Sequence, residues 1–222
     1  MGRSVESIYE ELKSNIINLD LVPGTKIREE DLATRFNISR TPIRTVIARL
    51  EKDDLLSVAP QKGTYVSKIN ISNISDFIYV RKAVETSVLE VVEKTINLSQ
   101  IKELEKILDR QHEIILMEPS IEKSKLFFHN DNLFHATLFK FANLDGVWKV
   151  IHTNATTLNR VRIMANLRST TQVERIYDQH RQIVECLKNH DIDQAKKIFA
   201  SHMDGGFEGI NAIIDKYKDY FM

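Results

Sequence analysis

The chain has 222 residues with 31 basic and 31 acidic side chains, so its formal net charge is zero, and 42% of its residues are hydrophobic. That length is long for one compact core and comfortable for two domains, and only seven glycines and four prolines over the whole chain point to a helix-rich globular fold. A single cysteine, Cys186, excludes a disulfide framework; no apolar run approaches the ~20 residues that cross a bilayer or forms a secretory leader, so the expected compartment is the cytoplasm.

The first predicted element is a helix over Val5 to Leu19, with Ile8, Leu12 and Ile16 at helical spacing, ended by Asp20-Leu21-Val22-Pro23-Gly24. A shorter helix follows over Glu29 to Phe36, with Leu32, Ala33 and Phe36 on one side. Asn37 takes the turn position, because asparagine tolerates a left-handed backbone. Next comes Ser39-Arg40-Thr41-Pro42-Ile43-Arg44-Thr45-Val46-Ile47-Ala48-Arg49-Leu50, three arginines and no acid. Pro42 fits only the first turn of a helix, with Ser39 or Thr41 as cap. Ile43, Val46, Ile47 and Leu50 form a stripe that must be buried, which leaves Thr41, Arg44, Thr45 and Ala48 facing out. Small and hydrogen-bonding residues beside a long cation suit entry into a DNA major groove, where arginine donates to guanine.

After Leu50 the pattern changes to two β-prone runs, Leu55 to Pro60 and Thr64 to Ser67, around Gln61-Lys62-Gly63. A helix-turn-helix followed by a basic-tipped hairpin is a winged helix that binds double-stranded DNA, and the zero net charge is no objection because the basic residues are locally concentrated. Leu21-Val22-Pro23-Gly24, Leu32-Ala33, Ser39-Arg40-Thr41-Pro42-Ile43-Arg44, Arg49-Leu50 and Gly63-Thr64-Tyr65-Val66 together resemble the winged-helix domain of GntR-family transcription regulators. The resemblance implies operator contacts by Arg40 and Arg44 and a wing that approaches the minor groove at Gly63; the helix face adds Thr41, Thr45 and Arg49, and the basic hairpin tip Lys62, as DNA-binding candidates. The chain departs from that family in two places: Thr45 stands where many members have glutamate, and Glu30 where some have a DNA-contacting arginine.

A polar stretch from Lys68 to Asn73 separates a first domain, 1–68, from a second, 69–222. Six helices are predicted there, near 73–93, 98–116, 121–142, 145–167, 172–189 and 192–217, with breaks at Asn97-Leu98-Ser99, Ser120, Asn143-Leu144-Asp145-Gly146 and Asn189-His190-Asp191. The expected fold is mainly α, a winged helix-turn-helix followed by an all-α six-helix bundle.

Polar residues on apolar stripes locate the chemistry, because a buried polar group must be paired, ligated or functional. Asp131 and His135 share a face with Phe127, Phe134 and Leu138. His180 interrupts Ile176, Ile183, Val184 and Leu187; His202 interrupts Ala195, Ile198, Phe199 and Gly206. His112, His129, His152 and His190 fall off, beside or at the end of their stripes. One carboxylate and three imidazoles from three helices suit zinc, nickel or another borderline divalent cation. Three separate core histidines satisfied by hydrogen bonds are the other reading of the spacing. Asp131-Asn132-Leu133-Phe134-His135, Gln179-His180-Arg181-Gln182-Ile183 and Ala200-Ser201-His202-Met203 resemble the metal-binding pattern of the FCD ligand-sensing domain of FadR-type GntR regulators, and six helices point to a VanR-like branch. The resemblance implies that Asp131, His135, His180 and His202 hold the metal.

Arg81 lies on the stripe of Ile74, Phe77, Ile78, Val84 and Val88, with Glu85 one turn on. Arg162 lies on the stripe of Ile151, Ala155, Leu158 and Ala165 with no acid three or four residues away, so its partner comes from another helix or a ligand. Both are candidate contacts for a small carboxylate effector. The expected protein is an effector-responsive, homodimeric, cytoplasmic transcription repressor. A regulator with a purely structural metal is one alternative; a metal-dependent hydrolase is another, disfavoured because no second carboxylate lies on the inward faces of the three ligand helices.

Overall fold

The computed structural model describes residues 3–166, 170–205 and 210–222. These form two compact units, one running up to Ile71 and including Ile214–Met222, the other Ser72–Ile213. The tail beyond Ile213 thus clusters with the first unit, through a parallel bridge between Ile69 and Phe221, although its sequence reads as the end of the helical half.

The first unit is built from α1 (Val5–Ile17), β1 (Lys26–Ile27), α2 (Glu29–Phe36), α3 (Arg40–Lys52), β2 (Leu56–Ala59) and β3 (Gly63–Val66). The strands form an antiparallel sheet in the order β1-β3-β2, with Leu56 opposite Val66 and Ala59 opposite Gly63. β1 has no counterpart in the sequence reading: two residues are too short to show alternation, and the strand exists only because Lys26 and Ile27 pair with Tyr65 and Thr64. Ile8, Leu12 and Ile16 of α1, Leu32 and Phe36 of α2, and Ile43, Val46, Ile47 and Leu50 of α3 meet in one core. That core turns the opposite face of α3 to solvent.

The second unit consists of α4 (Ser72–Thr95), α5 (Leu98–Ile115), α6 (Ile121–Phe141), α7 (Asp145–Asn154), α8 (Thr156–Asn166), α9 (Thr170–Lys188) and α10 (Ile192–Gly205), with α11 (Ile210–Lys216) carrying the chain across the division between units. Asn97 begins α5 with a full capping box, and Ser120 caps α6 through the Lys123 amide. The winged helix and the all-helical second half match expectation, but the helix count does not. The predicted helix 145–167 is divided at Ala155, where threonines and asparagine on either side favour caps over helix interior. The predicted helix 192–217 is described as α10 and α11, and residues 206–209, including the Gly206 assigned to the His202 stripe, lie outside the described residues. Among the described residues the second unit has seven helices before residue 206, so the count of six behind the VanR-like assignment is corrected.

α6 is the central helix of this unit. It packs on α4, α5, α7 and α8, and buries Phe127, Phe128, Phe134, Leu138 and Phe139 together with Asp131 and His135.

Asn37 ends α2 in the left-handed conformation, φ 53° and ψ 50°, and so sets the angle at which α3 leaves. Asn37→Gly should keep or slightly raise stability in thermal unfolding. Asn37→Val, a β-branched residue in the same conformation, should lower it by ~1–2 kcal/mol.

Candidate metal centre and nucleic-acid interface

Within the helical unit, one ligand atom from each of Asp131, His135, His180 and His202 lies within 4.8 Å of the others, and all four residues are buried. Asp131 and His135 stand one turn apart on α6, His180 comes from α9 and His202 from α10. The four residues that spacing placed inward are brought to one point. His129, His152 and His190, which it placed off the stripes, are exposed, and so is His112.

The outward nitrogen of each imidazole faces an acceptor oxygen. Glu85 Oε2 of α4 lies 2.6 Å from His135 Nδ1, Gln111 Oε1 of α5 lies 3.0 Å from His180 Nδ1, and Gln179 Oε1 lies 3.3 Å from His202 Nδ1. The Gln111 and Gln179 oxygens place the protons of His180 and His202 on Nδ1 and leave their Nε2 lone pairs pointing inward, while the Glu85 carboxylate lies beside His135 Nδ1 without hydrogen-bond geometry. His202 Nε2 then faces His135 Nε2 at 3.3 Å, while His180 Nε2 has no hydrogen-bond partner among the described residues and lies 3.7 Å from Asp131 Oδ1. Buried lone pairs that face one another repel unless positive charge lies among them. The donor set, three imidazole nitrogens and one carboxylate oxygen, fits a divalent zinc or nickel ion.

The electrostatics agree. Burial pushes His180 down to about 3, against a partial upward pull from Asp131, and burial with the two neighbouring imidazoles holds His202 well below its ordinary value. Both are therefore neutral and able to ligate near pH 7. Burial by itself would raise the Asp131 carboxyl, but Arg162, and after it the imidazoles, outweigh burial and hold it well below the usual range. Glu85 follows the same balance: burial raises it, and Arg81 with His135 more than reverses the effect.

Arg162 pairs with the Asp131 Oδ2 oxygen, donates to Asn132 Oδ1 at 2.8 Å and lies over the Phe128 ring. Its partner does come from another helix. Arg81 donates through Nε to Glu85 at 2.5 Å, and its buried Nη2 has no hydrogen-bond partner among the described residues. Glu85 is a second carboxylate beside the centre, on a helix that supplies no ligand. Sequence reading paired it with Arg81 but missed its contact with His135. Gln111, Gln179 and the buried Arg160 of α8 were also missed, because a polar residue on a stripe does not announce its partner.

In the first unit the expected DNA-facing residues Thr41, Arg44 and Thr45 are exposed on α3, with Arg40 at its first turn. Arg40 pairs with Glu30, and Arg44 Nε with Glu29 at 2.9 Å. Arg49 behaves differently: it donates twice to Glu6 at 2.7 and 3.2 Å and stacks on Tyr9, both of α1. Lys62 is exposed at the wing turn closed by its amide and the Ala59 carbonyl, and Gly63 begins β3 with φ 123°.

Comparison with known proteins places these features. The family of bacterial regulatory proteins called gntR matches residues 4–66, and the FCD domain matches residues 76–205. The HTH-type transcriptional repressor RspR of Escherichia coli is 29% identical over 218 residues, covering 97% of this chain and 92% of that protein. The gluconate operon transcriptional repressor of Bacillus subtilis is 25% identical, covering 96% and 84%. Among solved structures, McbR/YncC of E. coli shares the fold with a TM-score of 0.75 at 17% identity, covering 98% of this chain and all of that one. Among the described residues, no helix is long and apolar enough to cross a membrane.

The buried neutral histidines set a pH window. Unfolded imidazoles take up protons below about 6.5, whereas His180 resists until about 3, so the unfolded state binds more protons between those values. Metal-free protein should lose stability as pH falls below about 6.5, by on the order of 1 kcal/mol per pH unit from His180. Urea unfolding at stepped pH measures this, and a His180→Phe variant should show a shallower fall.

Proposed function

The chain belongs to the GntR family of bacterial regulatory proteins, with an FCD domain as its second half, and from that premise we propose that it senses a small carboxylate at a metal centre and adjusts operator binding accordingly. It is a DNA-binding transcription regulator and not an enzyme. The observation that carries the sensing half is the convergence of three imidazoles and one carboxylate on a single buried point, beside two arginines.

Asp131, His135, His180 and His202 would hold the ion, zinc or nickel, which would supply a positive centre for a carboxylate oxygen. Gln111 and Gln179 keep His180 and His202 in the ligating tautomer. Arg81 offers its unpaired Nη2 to a second oxygen of the effector, and Arg162 steadies Asp131 while its planar fork lies next to the same anion. A hydroxy acid or sugar acid meets these demands, and the name of the gluconate operon repressor is in keeping with that class.

In the first unit, Arg40, Thr41, Arg44 and Thr45 enter the major groove, and Lys62 and Gly63 bring the wing to the backbone. Arg49 reaches the DNA side only if it leaves Glu6. One reading helix covers few base pairs, so the active species is a homodimer on two half-sites. It acts in the cytoplasm as a repressor, in keeping with the names of its relatives.

Purified protein should carry about one divalent ion per chain by elemental analysis, as expected for one four-ligand centre. The ion should be lost on replacing Asp131, His135, His180 or His202 by Ala and retained on replacing His129, His152 or His190. Equal content in both sets would return the inward histidines to plain core packing. In a thermal-shift screen of organic acids, an effector should stabilise metal-loaded protein more than metal-free protein or Arg81→Ala, and should change operator affinity. Hits that stabilise all three alike would make the metal structural.

On an operator selected from random duplexes, Arg44→Ala and Arg40→Ala should each weaken binding by ~1–3 kcal/mol without changing the fold. Wild-type affinity for both would sink the recognition-helix assignment. Lys62→Ala should weaken specific and unspecific DNA alike, as a phosphate contact does.

A further inference from the structure

The two arginines at the start of the reading helix are not bare cations. Arg40 pairs through Nη2 with Glu30, and Arg44 through Nε with Glu29, both acids lying in the first turn of α2. The atoms used matter. Engaging Arg44 at Nε leaves the Nη1–Nη2 edge free, and engaging one of the two Nη2 hydrogens of Arg40 leaves the other beside its neighbouring donor, Nε or Nη1. In each case two adjacent donors of the planar fork remain, the number that the N7 and O6 of one guanine accept.

We propose that Glu29 and Glu30 are specificity-determining positioning residues, holding Arg44 and Arg40 for bidentate base contact while penalising contact with phosphate. This rests on the reading that α3 faces DNA. The physical basis is an exchange. On unspecific DNA an arginine must give up a carboxylate to reach a phosphate, one anion for another, and the abandoned carboxylate is left beside a polyanion. On a guanine edge the acceptors are neutral, so the arginine keeps its carboxylate and adds the base. Exposed ion pairs contribute little to stability, so the fold does not depend on these two acids. Their effect falls on DNA, where each phosphate contact forgone removes ~0.9 from the dependence of log affinity on log salt.

The experiment is fluorescence anisotropy with a short duplex of scrambled sequence and with the selected operator, at a series of salt concentrations. The proteins are the wild-type chain, Glu29→Gln, Glu30→Gln, the double variant, and Glu10→Gln on α1, whose charge change equals that of either single variant. Relative to wild type, the double variant should bind scrambled duplex about tenfold tighter with a salt slope steeper by about one to two units, while operator affinity rises by less than about threefold. The ratio of operator to scrambled affinity therefore falls. An unchanged ratio and slope would overturn the proposal, and so would the same shift in Glu10→Gln, which would make it an effect of net charge. Wild-type operator binding by Arg40→Ala and Arg44→Ala would instead overturn the underlying placement of α3. Weakened binding by those variants with an unchanged ratio in the double variant overturns the acid positioning alone.

Discussion

The helical unit depends on the burial of one carboxylate. Asp131 is almost wholly withdrawn from water, and an ionised acid there is tolerable only with close compensation. Arg162 of α8 supplies the charge, and imidazoles from α6, α9 and α10 surround the remaining oxygen. Each imidazole is then held from outside by a residue of α4, α5 or α9. Almost every helix around α6 thus contributes one polar group to a common network. Such a network specifies packing strongly, because losing any one member leaves another buried and unpaired. The aromatic side chains of α6 fill the space between these polar contacts, so the hydrophobic core and the candidate metal centre are built together.

The two units handle charge in opposite ways. In the helical unit the pairs Arg81–Glu85 and Arg162–Asp131 are withdrawn from water and cannot be exchanged cheaply, which fixes the geometry around Asp131. In the winged helix the arginines at the start of α3 are paired at the surface, where water and salt screen each contact and a new acceptor can replace the old one at little cost. Arg49 stands between these extremes: its bidentate contact with Glu6 and its stacking on Tyr9 tie α3 to α1, so the same residue type serves the fold on one side of the helix and faces solvent on the other. Any effector that alters operator binding through the network must itself bind with correspondingly altered affinity to the DNA-bound protein.

Much of this was legible from residue order alone. The period of Ile43, Val46, Ile47 and Leu50 determined which face of α3 is buried, because a helix repeats every 3.6 residues whatever surrounds it. The same arithmetic separated Asp131, His135, His180 and His202 from the exposed histidines, since an imidazole among apolar neighbours on one stripe has nowhere else to point. Asn37 foretold its left-handed backbone from its chemistry. What tertiary structure decided was every relation between elements. β1 exists only by pairing with β3, the tail's clustering with the first unit depends on the bridge between Ile69 and Phe221, and the acids opposite Arg40 and Arg44 come from another helix. Glu85, Gln111 and Gln179 acquire their roles only when α4, α5 and α9 close around α6. Periodicity records which way a side chain faces, whereas its partner is chosen by long-range packing, and that choice made four inward-facing residues a single centre.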